Sequence, residues 1–127
     1  LQSIIKKLKK NKIEVSLFVN PKVKDVISAN KMGVDAVELH TGSFANAVKS
    51  QQLQKINFEL KKIINCKLAC DKTKMKFNLG HGLNYKCISY LKNIKNINEY
   101  NIGHFIIGES IFDSFSKVIK KIKKMIN

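Results

Sequence analysis

The sequence contains no arginine, although 24 of its 127 residues are basic and the net charge is +15. All the basic residues are lysines, accompanied by many Asn and Ile, so a compositional bias explains the charge. Base-edge readout and bidentate phosphate contacts favour the planar guanidinium group of arginine. We therefore expect no nucleic-acid partner. The alternative, a lysine-rich nucleic-acid-binding α/β module, requires an affinity that falls steeply with salt.

Long apolar runs are also missing. None approaches the roughly 18 residues of a membrane span, so no membrane partner is expected. The chain does not begin with Met, and its first apolar residues are split by lysines, unlike a secretory signal. We interpret the 127 residues as a fragment of a longer protein.

Cysteines are few and odd in number: Cys66, Cys70 and Cys87. Such a sparse set indicates a reducing compartment, so we expect a cytoplasmic protein. Cys66 and Cys70 lie four residues apart, on one face of a predicted helix. Small buried residues explain this pair better than metal ligands do, and we expect neither a metal nor a cofactor.

Strands and helices alternate along the chain. β-branched and aromatic runs predict strands at 13–19, 35–39, 74–79 and 97–102. "FIIG", 105–108, is an alternative fourth strand. Asn20 and Pro21 predict the start of the second helix, Gly33 its end, and Asn84 the cap of a later one. Helical periodicity predicts six helices. They lie over 1–11, from Pro21 to Gly33, over about 45–70, in the residues that follow Asn84, over 104–112 and over 114–126.

This alternation predicts a single α/β domain over residues 1–127 with a parallel sheet, and strands this apolar suggest a sheet covered on both faces. Two architectures compete, a small doubly wound sheet and part of a (β/α)8 barrel. A complete barrel needs about 250 residues. Four βα units would therefore make about half of one.

Three histidines, His40, His81 and His104, follow predicted strands, and Glu38 lies near the end of one. In parallel α/β folds this rim binds ligands. A carboxylate in an apolar strand is costly without a partner, so Glu38 is either paired, for example with a lysine, or kept for acid–base chemistry. An imidazole such as that of His81 can donate or accept a proton near neutral pH.

Glycines accompany two of these histidines. Gly80 and Gly82 bracket His81, where they allow a tight turn or close approach of a ligand to the backbone. Gly103 precedes His104 at a predicted helix start, where free N–H groups favour an anion. These groups suggest proton transfer at a carbonyl of a phosphorylated substrate. An α/β protein that binds phosphate for a different chemistry is a further alternative.

The segments "VSLFV", "VELHTGSFANA", "NLGHGLNY" and "YNIGHFIIGES" together resemble the pyridoxine 5′-phosphate synthase family, in order and over nearly the whole chain. That family forms a (β/α)8 barrel and assembles as a homo-octamer. The resemblance implies that this chain is the C-terminal half of the barrel, with strands five to eight and their helices. It also implies that the first half of the barrel holds the family's base histidine and glutamate. Most of the residues that bind 1-deoxy-D-xylulose 5-phosphate would lie there too.

The implied reaction condenses 3-amino-2-oxopropyl phosphate with 1-deoxy-D-xylulose 5-phosphate to give pyridoxine 5′-phosphate, phosphate and water, without a metal or cofactor. By motif, Glu38 matches a stabilising carboxylate and His81 a proton donor. Gly82, Gly103 and His104 match positions that hold the aminoketone phosphate. His40 matches no active-site position, so we interpret it as structural support.

Two positions depart from the family pattern. Leu79 stands where smaller residues are common, and Glu109 stands where a basic residue is frequent. If the Glu109 side chain pointed toward a bound phosphate, it would repel it.

Overall fold

The computed structural model describes residues 1–126, which form a four-stranded parallel sheet with seven helices. The strands are β1 (Ser16–Val19), β2 (Ala36–His40), β3 (Lys76–Gly80) and β4 (Glu99–Asn101). The helices are α1 (Gln2–Lys10), α2 (Val23–Met32), α3 (Gly42–Lys49), α4 (Leu53–Cys70), α5 (Tyr85–Leu91), α6 (His104–Glu109) and α7 (Phe115–Ile126).

The strands lie side by side in chain order, β1-β2-β3-β4, and every neighbouring pair is parallel. A doubly wound sheet reverses its strand order near the middle, and this sheet does not. Consecutive order is that of neighbouring strands in a (β/α)8 barrel. The predicted α/β class and parallel sheet are confirmed, and the sheet is compatible with part of such a barrel.

The two faces of the sheet differ. The odd-numbered residues of β1 to β3, such as Leu17, Leu39 and Leu79, belong to one core cluster with residues of the helices. The even-numbered residues of β1 to β3 occupy the other face, because side chains alternate along a strand, and Glu99 lies on that face as the register partner of Asn78. Phe18 on that face is 55% exposed, and Glu99 is also exposed. The expectation of a sheet covered on both faces is met only in part among the described residues, because Ala36 and Asn78 on the second face are buried while Phe18 and Glu99 are exposed.

The single helix predicted over about 45–70 is two helices. α3 begins at Gly42, inside the segment expected to be a loop, and α4 begins at Leu53. Between them Gln51 takes φ 54°, and the N–H of Gln52 donates to Ala47 at 3.1 Å. No Gly or Pro marks this break, which is why the apolar periodicity concealed it.

Element ends agree with the sequence at some positions and not at others. Gly33, with φ 78°, ends α2 as predicted, and the Asn84 side chain accepts a 2.9 Å hydrogen bond from the Cys87 N–H, as expected of a cap. The predicted N-cap at Asn20 is wrong, because α2 is preceded by Lys22 and begins at Val23. "FIIG", 105–108, lies in α6 and not in a strand.

The three cysteines are free and buried. Burial raises the pKa of the Cys66 thiol to about 11 and also raises the pKa of Cys70 and Cys87. They are therefore poor nucleophiles and act as small core residues. Among residues 1–126 no cluster of three or more potential metal ligands is present. No helix in the same range is both long and apolar enough to span a membrane.

We predict that the 127-residue chain on its own self-associates. β1 and β4 are both edge strands, and apolar side chains such as Phe18 and Phe112 (89% exposed) face solvent. Unpaired edges and exposed apolar surface promote aggregation. Light scattering over a concentration series should reveal large species. A stable monomer at high concentration would contradict this expectation.

Candidate active site

Three strands deliver polar groups to the same edge of the sheet. His40, Gly80 and Asn101 end β2, β3 and β4, and they are register partners across the sheet. Because parallel strands end on the same side, the loops that follow meet there. The site is therefore assembled from residues far apart in the chain but adjacent across the ladder.

Gly80 makes room for the carboxylate of Glu38. A Cβ added at Gly80 would lie 1.9 Å from Glu38 Oε1 and 3.2 Å from the Asn101 Cβ. The second oxygen of the carboxylate, Glu38 Oε2, accepts a 2.6 Å hydrogen bond from Asn101 Nδ2. The half-buried carboxylate is thus paired with an amide and not with the lysine suggested by sequence. Gly80 is needed for space, while the turn itself is made by the next two residues.

The turn after β3 has an unusual backbone. His81 has φ 80° and Gly82 has φ 79°, so two successive residues are left-handed. This conformation is uncommon for a residue with a side chain. A Cβ at Gly82 would also lie 2.9 Å from that of Ala45 in α3. The sequence indicated a turn here but not that the histidine itself would carry positive φ.

Beyond this turn lies a cleft of about 370 Å³ between the loops that follow β3 and β4. The part of the chain that the structure describes contributes no acidic residue to its lining. The lining residues are His81, Gly82, Leu83, Asn84, Asn101, Ile102, Gly103, His104 and Phe105.

The residues singled out from the sequence meet at this cleft. His81, Gly82, Gly103 and His104 all line it. Glu38 does not, but it bonds to Asn101, which does. A Cβ added at Gly103 would meet no atom within 4 Å, so the backbone there faces open space. The remaining histidine, His40, stacks on His81 with ring centroids 4.5 Å apart.

Glu109 lies away from the cleft. It ends α6, at the opposite end of that helix from His104, and does not line the cleft. The pKa of Tyr85 is raised by desolvation and, secondarily, by the carboxylates of Glu109 and Asp113. Glu109 is thus not among the residues that line the cleft, and its effect on a bound phosphate stays a prediction.

Sequence reasoning missed two residues. Asn101 holds the Glu38 carboxylate, and Thr41, 1% exposed, contacts the backbone of the loop that carries His81. Asn101 stands in "NIGH" and Thr41 in "HTG", so both lay within the segments that carried the resemblance. Their partners are 63 and about 40 residues away, and only the ladder brings them together.

Comparison with known proteins identifies the family of the chain. The family model described as "Pyridoxal phosphate biosynthesis protein PdxJ" matches residues 1–127. The chain belongs to the PdxJ family.

Relatives named pyridoxine 5′-phosphate synthase match the same chain. That of Pelagibacter ubique is 41% identical over 127 residues, covering 100% of this chain and 52% of the relative. That of Sulfurihydrogenibium sp. is 36% identical, with 99% and 50% covered. That of Campylobacter fetus subsp. fetus is 35% identical over 146 residues, with 99% and 57% covered. The chain spans about half the length of these curated relatives.

We predict that Gly80→Ala displaces the Glu38 carboxylate. The new methyl group would occupy the position of Glu38 Oε1, and such overpacking costs about 1–3 kcal/mol. Denaturant unfolding of the protein measures the loss of stability. Gly108→Ala is the matched control, because its Cβ meets nothing within 4 Å and should stabilise α6 by about 0.5–1 kcal/mol. Equal effects of the two changes would refute the proposed role of Gly80.

Proposed function

We propose that this chain is the C-terminal half of a pyridoxine 5′-phosphate synthase, with β1–β4 serving as strands five to eight of a (β/α)8 barrel. The complete enzyme would condense 3-amino-2-oxopropyl phosphate with 1-deoxy-D-xylulose 5-phosphate, giving pyridoxine 5′-phosphate, phosphate and water. Membership of the PdxJ family and the names of the relatives support this reaction. Within residues 1–126 the outer edges of β1 and β4 have no strand partner, as a half barrel requires.

The observation that carries the proposal is the shared cleft. His81, Gly82, Gly103 and His104 come from two loops about twenty residues apart in sequence, yet they line one space of about 370 Å³. The lining is rich in backbone and imidazole donors, and its described residues bring no carboxylate. This is the composition expected of a site for a phosphorylated substrate.

In this proposal His81 is the proton donor. His81 is exposed and lines the cleft. An imidazole side chain can donate or accept a proton near neutral pH. Loss of water or phosphate from a condensing substrate requires a proton on, or a hydrogen bond to, the leaving oxygen. A histidine at the cleft wall can supply it as a general acid.

Glu38 is proposed to stabilise positive charge that develops during imine formation. One of its oxygens is bonded to Asn101 Nδ2 at 2.6 Å, and the other lies against Gly80. This pairing holds the carboxylate in place without a cation, so its negative charge remains available to the reacting centre. A fixed charge needs little reorganisation during the reaction.

The aminoketone phosphate is proposed to lie against Gly82, Gly103 and His104. The open space at Gly103 lets an anion approach the backbone closely. The first N–H groups of α6 have no acceptor within the helix. The net charge of +15 further favours the approach of anionic substrates.

The proposal extends to location and assembly. The free, buried cysteines are in keeping with a reducing cytoplasm. A homo-octamer is proposed from the resemblance to the family, and exposed apolar side chains such as Ile111 and Phe112 offer surface for contacts with other chains. No metal or cofactor is part of the proposed chemistry, which needs only protein acids and bases.

We predict that Glu38→Gln and His81→Asn, made in the complete protein, lower turnover by about a hundredfold or more, the usual scale of one acid–base contribution. The melting temperature should change by only a few degrees. Gln can keep the contact with Asn101, and Asn tolerates positive φ. The assay follows pyridoxine 5′-phosphate and released phosphate. Retained turnover with a collapsed melting temperature would mean that both residues are structural.

We predict that Gly103→Val weakens binding of the aminoketone phosphate more than that of the deoxyxylulose phosphate. A Cβ at Gly103 meets no protein atom within 4 Å, so a loss of affinity is expected to come from contact with the ligand. Gly108→Val introduces the same group into open space outside the cleft and serves as control. Calorimetric titration of each variant with each phosphate measures the difference. Equal weakening of both phosphates would argue against a dedicated site at Gly103.

A further inference from the structure

Thr41 lies between the end of β2 and the loop that carries His81. Its side chain is buried, and its Oγ1 lies 2.7 Å from the Gly80 carbonyl oxygen and 2.8 Å from the His81 carbonyl oxygen. A hydroxyl has one proton, so the two carbonyls share it. The Thr41 N–H also donates to Gly80 O at 2.9 Å. Thr41, the first residue after β2, therefore clamps two successive peptide groups of the loop that carries His81.

The clamped segment is the strained one. His81 takes φ 80°, a conformation that a residue with a side chain holds only when its surroundings impose it. The contacts of Thr41 reach the peptide groups on both sides of the His81 Cα. They therefore define the direction in which the Cα–Cβ bond of His81 leaves the backbone.

A second contact acts on the ring itself. The imidazoles of His40 and His81 are stacked, with centroids 4.5 Å apart and planes 25° apart. His40 also meets the Phe18 ring edge-on, with ring centroids 5.1 Å apart. Gly42 leaves room for both imidazoles, because a Cβ there would lie 2.6 Å from His40 Cε1 and 3.0 Å from His81 Cδ2.

No competing contact holds the His81 ring. Within residues 1–126 neither of its nitrogens has a hydrogen-bond partner, and the residue is exposed at the cleft. Its orientation therefore depends on the backbone clamp and the stack, while both nitrogens stay free for a substrate.

We propose that Thr41 and His40 are positioning residues for His81: Thr41 sets its backbone, and His40 sets the plane of its imidazole. The inference rests on the proposed role of His81 as proton donor. Neither residue touches the reacting atoms; both act through His81. Since a misplacement of about 1 Å can cost about a hundredfold in rate, such support affects chemistry more than substrate binding.

The test compares Thr41→Val with Thr41→Ser in the complete protein. Val removes the hydroxyl at similar volume, and Ser restores it. We expect Thr41→Val to lower kcat by about tenfold or more, with KM for both phosphates within about twofold, and Thr41→Ser to recover most of the rate. Thr73→Val is the control, since Thr73 also loses hydrogen bonds, to Cys70 and Met75, away from the cleft. Unchanged kcat in Thr41→Val, or the same loss in Thr73→Val, would overturn the proposal.

His40→Leu provides an independent variant in case Thr41→Val does not fold. It removes the aromatic stack at similar volume, and the same loss in kcat with little change in KM is expected. An unaltered kcat would overturn the role of His40.

A readout independent of activity separates this inference from the proposed function. The ¹H–¹³C ring resonances of His81 can be identified by their absence in His81→Asn. They should shift in Thr41→Val, which keeps the His40 ring and its ring current, while those of His104 stay in place. If the wild-type protein lacks synthase activity but these shifts occur, the proposed function fails and the positioning stands. Unshifted His81 resonances in Thr41→Val would refute the positioning by Thr41, whatever the activity.

Discussion

The parallel pairing of β2 with β3 is the constraint on which the site depends. It sets Glu38 beside Asn78 and His40 beside Gly80, and pairing with β4 adds Asn101 to the same row. From this register follow the bond between Glu38 and Asn101, the contact of the carboxylate with Gly80, and the clamp of Thr41 on the next loop. A shift of one residue would turn every side chain to the opposite face and remove all three.

The small residues of the site have separate physical purposes. Gly80 leaves space for a carboxylate, and Gly42 leaves space for two imidazoles. Gly82 takes a positive φ and packs closely against Ala45 of α3. Gly103 differs from these three, because no protein atom lies near its missing side chain. The open space at Gly103 is in keeping with the proposed phosphate site, because Gly103 also lines the cleft.

The face of the sheet opposite the helices carries the polar residues of the site. Glu38, Asn78 and Glu99 share one row, and the Asn78 amide donates to Glu99 at 3.1 Å. Asn78 Oδ1 is buried without a hydrogen-bond partner among residues 1–126. Buried polar atoms are normally paired. This unmet acceptor and the open strand edges are in keeping with the proposed half barrel.

The sequence by itself determined the four strands, most of the helices, the α/β class and the group of residues near the cleft. Periodicity and turn residues are local properties, and the shared motifs "ELHTG", "GHGL" and "NIGH" carried the family resemblance. Tertiary structure alone decided the sequential strand order, the break at Gln51, the positive φ of His81, and the roles of Thr41 and Asn101. These depend on pairing between residues distant in the chain, and propensity does not encode which distant partner a side chain will meet.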